Sequence, residues 1–222
     1  PGQLDIEDGE TKLKLTATSP EGCGESSDFL MLFIDRIPTA MAGNDTTICE
    51  NEILDISGIA SHFTAIEWAT GGDGSFADPA SLETTYQPGP QDISDGSAEI
   101  CLTAFSNGQC ENSTDCFTVT IELAPTANAG ENQTICESSA VLLNGLAENH
   151  SELLWTTTGD GTFDDPAIAD ATYTPGSLDI QNQSVEITLS ATGVNVCPES
   201  SDSMIVSIIN SPVAEEIGRA HV

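Results

Sequence analysis

The sequence contains the same pattern twice, and this repetition strongly limits the folds that the chain can adopt. Trp68–Phe76 reads WATGGDGSF, and Trp155–Phe163 reads WTTTGDGTF, an offset of 87 residues from Trp68 to Trp155. The offset relates other residues without a gap: Cys49 to Cys136, Tyr86 to Tyr173, Cys110 to Cys197 and Pro125 to Pro212. A fixed period of this kind is the signature of a tandem array.

The period also predicts the domain organisation. Residues 1–38 match the C-terminal part of a repeat (the part-repeat), 39–125 form a full repeat (the middle repeat), and 126–213 form another (the last repeat). Each full repeat is long enough for a small domain with its own core. Because the chain begins in mid-repeat, we expect its N-terminus to be a cut. Residues 214–222 break the period and end in EIGRAHV, so we expect a linker and an artificial tail there.

The charge of the chain excludes two classes of partner. Lys and Arg total 4 against 36 Asp and Glu, which gives a formal net charge of −32. Nucleic acid is excluded because phosphate binding needs Lys and Arg. Binding to an anionic membrane surface fails for the same reason, and no apolar run is long enough for membrane insertion.

The apolar residues alternate with polar ones, as in half-buried strands. Ile66 and Trp68 flank Glu67, and Val119 and Ile121 flank Thr120. Gly- and Pro-rich turns separate these runs, and no amphipathic helix of useful length is present. The pattern predicts an all-β fold of tandem immunoglobulin-like sandwiches, each with seven strands in two sheets. We expect the repeated aromatic residues to lie in the cores: Trp68, Trp155, Phe76, Phe163, Tyr86 and Tyr173.

The order of motifs resembles one protein family. AGNDTTIC, W…GDGSF, TYQPGPQDI, EICLTA and DCFTVTI follow one another, with counterparts in the last repeat. This order is similar to the PKD-like, immunoglobulin-like repeats of large secreted Bacteroidetes proteins, which include surface adhesins and gliding-associated filaments. The resemblance implies a non-catalytic, extracellular or cell-surface segment that acts as a stalk or an adhesive filament.

Seven cysteines at repeated spacing indicate an oxidising compartment, and metal-binding pairs of the C-x-x-C type are absent from the sequence. The repeat equivalence pairs Cys49 with Cys110 and Cys136 with Cys197, so we expect one disulfide inside each full repeat. Cys23 is the equivalent of Cys110, and its partner would precede residue 1.

Cys101 and Cys116 occur only in the middle repeat. Each alternates with the inward-facing row of its strand, so both point outward from adjacent strands of one hairpin. We expect an additional cross-strand disulfide between them. The alternative is two unpaired thiols.

The placement of the acids predicts a calcium site at the joint between full repeats. Asp73, Asp92 and Asp95 fall in loops at one pole of the middle repeat, and Glu131 lies where the last repeat enters. Ca²⁺ takes six to eight such oxygen ligands. The alternative is a solvated acidic face that only keeps the protein soluble. No other cofactor is expected.

Catalytic residues should repeat in a repeated module, and the histidines do not. His62 aligns with Asn149, and His150 aligns with Phe63. No G-x-S-x-G motif is present, so we expect no enzymatic activity. Two functions remain open. One is a stalk or filament, with neighbouring repeats as partners and an unknown surface or glycan ligand. The other is an accessory glycan- or protein-binding module of a secreted multidomain enzyme, which would need exposed aromatic residues.

Overall fold

A computed structural model describes residues 1–22 and 24–212, so the predicted tail, 214–222, and Cys23 lie outside the described residues. The chain forms two compact units. The first comprises Pro1–Thr46 and Glu52–Ile121, and the second comprises Thr47–Asn51 and the chain from Glu122 onward. No helix in the described ranges is long and apolar enough to cross a membrane.

The middle repeat is built from two sheets and a short ribbon. A four-stranded sheet has the order β4-β11-β10-β7, a three-stranded sheet has the order β5-β9-β8, and β3 pairs with β6. The seven strands of the two sheets match the predicted sandwich, and the ribbon is additional. The elements are β3 (Thr39–Met41), β4 (Thr46–Cys49), β5 (Leu54–Ser57), β6 (Ile59–Ser61), β7 (Ala65–Thr70), β8 (Ser75–Phe76), β9 (Glu83–Gln87), α2 (Pro90–Asp95), β10 (Ser97–Phe105) and β11 (Ser113–Glu122).

The last repeat has the same architecture. Its sheets have the orders β13-β20-β19-β16 and β14-β18-β17, and β12 pairs with β15. The first strand of the larger sheet, β13, runs parallel to β20, whereas β19 and β20 form an antiparallel hairpin. The elements are β12 (Thr126–Asn128), β13 (Gln133–Cys136), β14 (Val141–Leu142), β15 (Leu146–Glu148), β16 (His150–Thr157), β17 (Thr162–Phe163), β18 (Thr172–Thr174), α3 (Ser177–Asn182), β19 (Ser184–Gly193) and β20 (Ser200–Ile209).

The alternating apolar rows of the strands form the cores. Trp68 and Trp155 are each 2% exposed, and Tyr86 and Tyr173 are fully buried. Each indole N–H donates to a backbone carbonyl, from Trp68 to Ser81 at 2.9 Å and from Trp155 to Ile168 at 3.0 Å. Such a partner is needed because a buried polar group without a hydrogen bond is costly. Phe76 and Phe163 are half-buried and pack against Tyr86 and Tyr173.

A short helix precedes the penultimate strand of each full repeat, where the sequence was interpreted as a turn. The helices α2 and α3 each have six residues, and each follows an extended glycine, Gly89 or Gly176. Both end at a residue in the left-handed conformation, Gly96 or Gln183. Six residues are too few to give the apolar period of a helix, so the sequence pattern did not reveal them.

The part-repeat consists of α1 (Gln3–Asp8) and the hairpin formed by β1 (Glu10–Thr18) and β2 (Glu25–Phe33). Its apolar side chains remain exposed in the structure. Leu15 is 76% exposed, whereas its equivalent in the middle repeat, Leu102, is fully buried. The hairpin therefore repeats the local structure of β10 and β11 without a core of its own.

Candidate functional site

The acidic residues of the GDG motif and of the short helix form a closed hydrogen-bond cluster, called here the carboxylate clasp. In the middle repeat it comprises Asp73, Tyr86, Gly89 and Asp92. The Asp92 carboxylate is 2% exposed and accepts hydrogen bonds from the Tyr86 hydroxyl at 2.5 Å and the Gly89 N–H at 3.1 Å. Its other oxygen accepts from the Asp73 N–H at 3.3 Å. The clasp thus ties the GDG loop to the helix.

Asp73 caps the first turn of α2 from outside the helix. Its carboxylate accepts the backbone N–H groups of Gln91, at 3.1 Å, and of Asp92, at 3.3 Å. These N–H groups have no partner within the helix, and a side chain at the N-cap position usually accepts one of them. Gly89 has no such side chain, so Asp73 supplies the acceptor. A Cβ at Gly89 would lie 2.1 Å from Asp73 Oδ1, which explains why glycine occupies the cap.

The last repeat contains an equivalent clasp, formed by Asp160, Tyr173, Gly176 and Asp179. The Tyr173 hydroxyl donates to Asp179 Oδ2 at 2.7 Å, and the Gly176 N–H donates to the same oxygen at 2.9 Å. Asp160 Oδ1 accepts from the Leu178 N–H at 3.0 Å and the Asp179 N–H at 3.3 Å. Because the whole cluster repeats, we interpret it as part of the scaffold.

The electrostatics of the clasp fit this structural role. Burial, together with the neighbouring Asp179 carboxylate, raises the pKa of Tyr173 to about 12. Burial and the hydrogen bond to Asp92 likewise raise the pKa of Tyr86 well above its ordinary value. Desolvation opposes ionisation of Asp160, but the N–H groups of Leu178 and Asp179 outweigh it and hold its pKa below the ordinary value. The phenols therefore stay neutral donors, and Asp160 stays an ionised acceptor, over a wide pH range.

The structure places the predicted calcium ligands in different environments. Asp92 is buried in the clasp, and Asp73 is exposed but accepts the helix N–H groups. Asp95 is exposed at the end of α2, and Glu131 is exposed in the second unit. Two of the four predicted ligands therefore already have a structural role.

The pairing predicted for the repeated cysteines is wrong. Cys49 forms a disulfide with Cys197, not with Cys110, across a sequence separation of 148 residues. Cys136 does not pair with Cys197, and both Cys110 and Cys136 are free thiols. The observed disulfide joins cysteines from two different sequence repeats, with Cα atoms 5.0 Å apart.

The strand order explains why Cys136 and Cys197 of the last repeat cannot form a disulfide with each other. In the last repeat Cys136 lies beside Ile209, at the end of β20, whereas Cys197 precedes the start of that strand. A strand of ten residues spans about 30 Å, but the Cα atoms of a disulfide lie at most about 7 Å apart. The parallel pairing of β13 with β20 thus places the two cysteines at opposite ends of the sheet.

The additional disulfide of the middle repeat is present, as predicted. Cys101 and Cys116 face each other in the register of β10 and β11 and are bonded. Glu99 lies close enough to complete a group of three possible metal ligands, which is the one such group among the described residues. Since both sulfurs are in the disulfide, they are not thiolate ligands.

The histidines of the full repeats lie on the surface. His62 and its counterpart Asn149 both adopt the left-handed conformation, with φ of 55°. Asn is often found in this conformation, so the pair marks a shared turn. His150 lines a surface depression of about 570 Å³ with Glu152 and Glu199. No equivalent of His150 exists in the middle repeat, where Phe63 takes its place.

The fold is similar to that of solved tandem immunoglobulin domains. The I67–I69 fragment of the titin I-band matches with a TM-score of 0.53 at 11% identity, covering 91% of this chain and 75% of that fragment. An E-to-A variant of the same fragment matches with a TM-score of 0.51 at 12% identity and the same coverage. Drosophila N-cadherin EC1-4 overlaps with a TM-score of 0.45 at 15% identity, over 91% of this chain and 58% of that chain. No protein-family model and no curated protein matches the sequence.

These comparisons confirm the predicted fold class: the chain is all-β, with immunoglobulin-like sandwiches in tandem. Identities of 11% and 12% establish the fold alone. The domain boundaries predicted from the period remain predictions.

Proposed function

We propose that the chain is a non-catalytic segment of an extracellular surface protein, in which tandem sandwiches serve as a stalk or an adhesive filament. The finer assignment to PKD-like repeats of Bacteroidetes surface proteins belongs to this proposal, and the W…GDG motif supports it. The disulfides support an oxidising, extracellular location.

The observation that carries the proposal is the burial of the Trp and Tyr side chains of the two full repeats. The chain has two Trp and two Tyr, and all four lie in the cores. A glycan-binding module would use exposed aromatic rings as a platform, and these residues are not available for one. The repeated acids serve the clasp, so the features that the two repeats share are features of the scaffold.

Single-molecule pulling tests the mechanical role. Pulled from its two ends without reductant, the chain should extend by about 500 Å less than with reductant, because the 148-residue separation between Cys49 and Cys197 stays closed. Equal extension under both conditions would contradict a covalently reinforced stalk. In parallel, saturable binding on a glycan array, abolished by one surface substitution, would favour the alternative of an accessory binding module.

The calcium site at Asp73, Asp92, Asp95 and Glu131 also remains a proposal. Calcium would relieve the repulsion among acids in a chain with a net charge of −32 and would stabilise the folded state by binding it. Cations that act only by screening would have the same effect at equal ionic strength.

Calorimetry of the intact chain distinguishes these effects. Millimolar calcium should raise the unfolding midpoint more than magnesium does, and Asp95→Asn should weaken that response. Asp95 is the suitable residue because it is exposed and makes no clasp contact, and Asp55→Asn provides an exposed control. If sodium at matched ionic strength reproduces the whole shift, the calcium site does not exist.

A further inference from the structure

The Cys49–Cys197 disulfide defines a pairing rule for the two free cysteines. Cys136 is the repeat equivalent of Cys49, and Cys110 is the equivalent of Cys197. We propose that Cys136 and Cys110 are the two halves of the same disulfide, so that Cys136 of one copy of this chain bonds to Cys110 of a second copy, head to tail. The inference rests on the proposed function as an array, and it names a repeat of the same kind as the covalent partner.

The Cys49–Cys197 disulfide shows which contacts surround a bonded pair of these cysteines, and these contacts are called here the joint. The backbone carbonyl of Glu122 accepts the Glu50 N–H at 2.8 Å and lies 3.4 Å from Cys197 Sγ. The two bonded cysteines therefore meet around one carbonyl, and both are buried, with 2% exposure for Cys49 and 7% for Cys197.

Cys110 occupies one half of this arrangement. Its thiol lies 3.8 Å from the carbonyl oxygen of Asp35, the residue that corresponds to Glu122 one repeat earlier. Cys110 is only half-buried, in contrast to Cys197. Cys110 thus has the carbonyl neighbour that Cys197 has, without the disulfide.

Cys136 occupies the other half. The residue after it, Glu137, donates its N–H to the Ile209 carbonyl at 3.0 Å, as Glu50 does to Glu122. Cys136 itself is exposed, whereas its equivalent Cys49 is buried. Each free thiol therefore has the strand-end carbonyl that its bonded equivalent has, at Asp35 for Cys110 and at Ile209 for Cys136, but not the disulfide.

The bond forms by thiol–disulfide exchange with a small-molecule disulfide such as oxidised glutathione. The Cys136 thiolate attacks one glutathione sulfur and releases the other glutathione as a thiol. The Cys110 thiolate of the second copy then attacks the mixed disulfide at the Cys136 sulfur and releases the second glutathione. Two protein thiols are oxidised, one glutathione disulfide is reduced to two thiols, and the two protons pass to those thiols.

Such bonds would overlap along an array, because Cys136 lies in sequence between Cys49 and Cys197. Each disulfide would connect two neighbouring repeats. The stretch of sequence that it closes would overlap the stretch closed by the preceding disulfide. Cleavage of one backbone segment would then leave the neighbouring repeats covalently connected.

A complementation experiment with two variants of the full chain tests this inference. Both variants carry Cys23→Ser, because Cys23 has the same repeat position as Cys110 and would compete with it. One also carries Cys110→Ser and keeps Cys136, and the other carries Cys136→Ser and keeps Cys110. Each is incubated alone and in an equal mixture in a glutathione redox buffer, then analysed by non-reducing electrophoresis and peptide mapping.

The mixture should give several-fold more disulfide-linked dimer than either variant alone, and its dimer should contain a Cys136–Cys110 peptide. Equal dimer in all three samples, symmetrical Cys136–Cys136 and Cys110–Cys110 bonds, or no dimer would overturn the inference. Peptide mapping of each variant checks that the Cys49–Cys197 bond is intact, which excludes misfolding. A missing cross-link would leave the stalk itself untouched, because the pulling experiment depends only on Cys49–Cys197.

Discussion

The middle and last repeats share one scaffold but differ in how the same cross-strand position is linked. In the middle repeat Cys101 and Cys116 form a disulfide. In the last repeat Thr188 and Ser203 occupy the equivalent positions, and their hydroxyl oxygens lie 2.8 Å apart in a hydrogen bond. The hairpin geometry is therefore set by the strands and the core, and the covalent link is added to a structure that forms without it.

A second comparison concerns cysteines at equivalent positions. Cys49 is bonded and buried, whereas Cys136, at the same position one repeat later, is free and exposed. The local backbone is the same in both cases, as the hydrogen bonds of Glu50 and Glu137 show. The state of each cysteine thus depends on the partner it meets, not on its own repeat.

The largest expected effect tests whether the two cores are equivalent. Trp155→Ala should cost about 3–5 kcal/mol of stability, as for other buried aromatic truncations, and Trp68→Ala should cost a similar amount in its own repeat. Hydrogen exchange of each repeat provides the measurement, because it reports on the two regions separately. A substitution without effect on its own repeat would contradict the assignment of that core.

Exchanging the cross-strand pair tests the difference between the repeats. Replacing Cys101 by Thr and Cys116 by Ser, the residues of the last repeat, should lower the stability of the middle repeat by about 3 kcal/mol, the value for a loop of about 15 residues. Thr188→Cys with Ser203→Cys should introduce the bond into the last repeat and raise its midpoint. A change in strand register after either exchange would show that the link determines the hairpin.

The clasp should contribute equally to both repeats. Tyr173→Phe and Tyr86→Phe each remove the hydroxyl donor of a buried carboxylate, so each should cost about 1–3 kcal/mol. Thermal melts of the two variants, with the exposed Asp55→Asn as the control, check this expectation. A cost confined to one repeat would mean that the two clasps are not equivalent.

The change of stability with pH should be smaller than the effects of the substitutions above. Its sign follows from the direction of each pKa shift. Since the pKa of Asp160 is lowered by folding, its contribution is present above the ordinary value of 3.8 and is lost as the pH falls below it. The raised pKa of Tyr173 has the opposite sign, so its contribution is lost as the pH rises from 10 toward about 12. Asp160→Asn should flatten the acid limb of the stability curve, and the exposed Asp170→Asn should not.

The sequence was sufficient to predict the sandwich because its signal is local. The alternation around Trp68 and the period from Trp68 to Trp155 are both directly visible in the printed residues. The buried positions of Trp68, Tyr86 and their equivalents follow from that alternation.

The disulfide pairing and the clasp could not be predicted in the same way, because both depend on strand order. Pairing Cys136 with Cys197 assumed that cysteines of one repeat meet, but the parallel alignment of β13 with β20 separates them by the length of a strand. Asp92 was predicted as a calcium ligand in a loop, but the fold buries it and places the Tyr86 hydroxyl beside it. Sequence alone gives no sign that a carboxylate in such an acidic chain is buried.

Peptide mapping of the unreduced protein tests the central claim most directly, namely that the repeats are joined covalently. After the monomeric chain is isolated, its thiols are blocked and it is digested, the structure predicts a Cys49–Cys197 peptide and a Cys101–Cys116 peptide, with Cys110 and Cys136 recovered as blocked thiols. Recovery of Cys49–Cys110 and Cys136–Cys197 peptides would contradict the account, because each repeat would then be closed on itself.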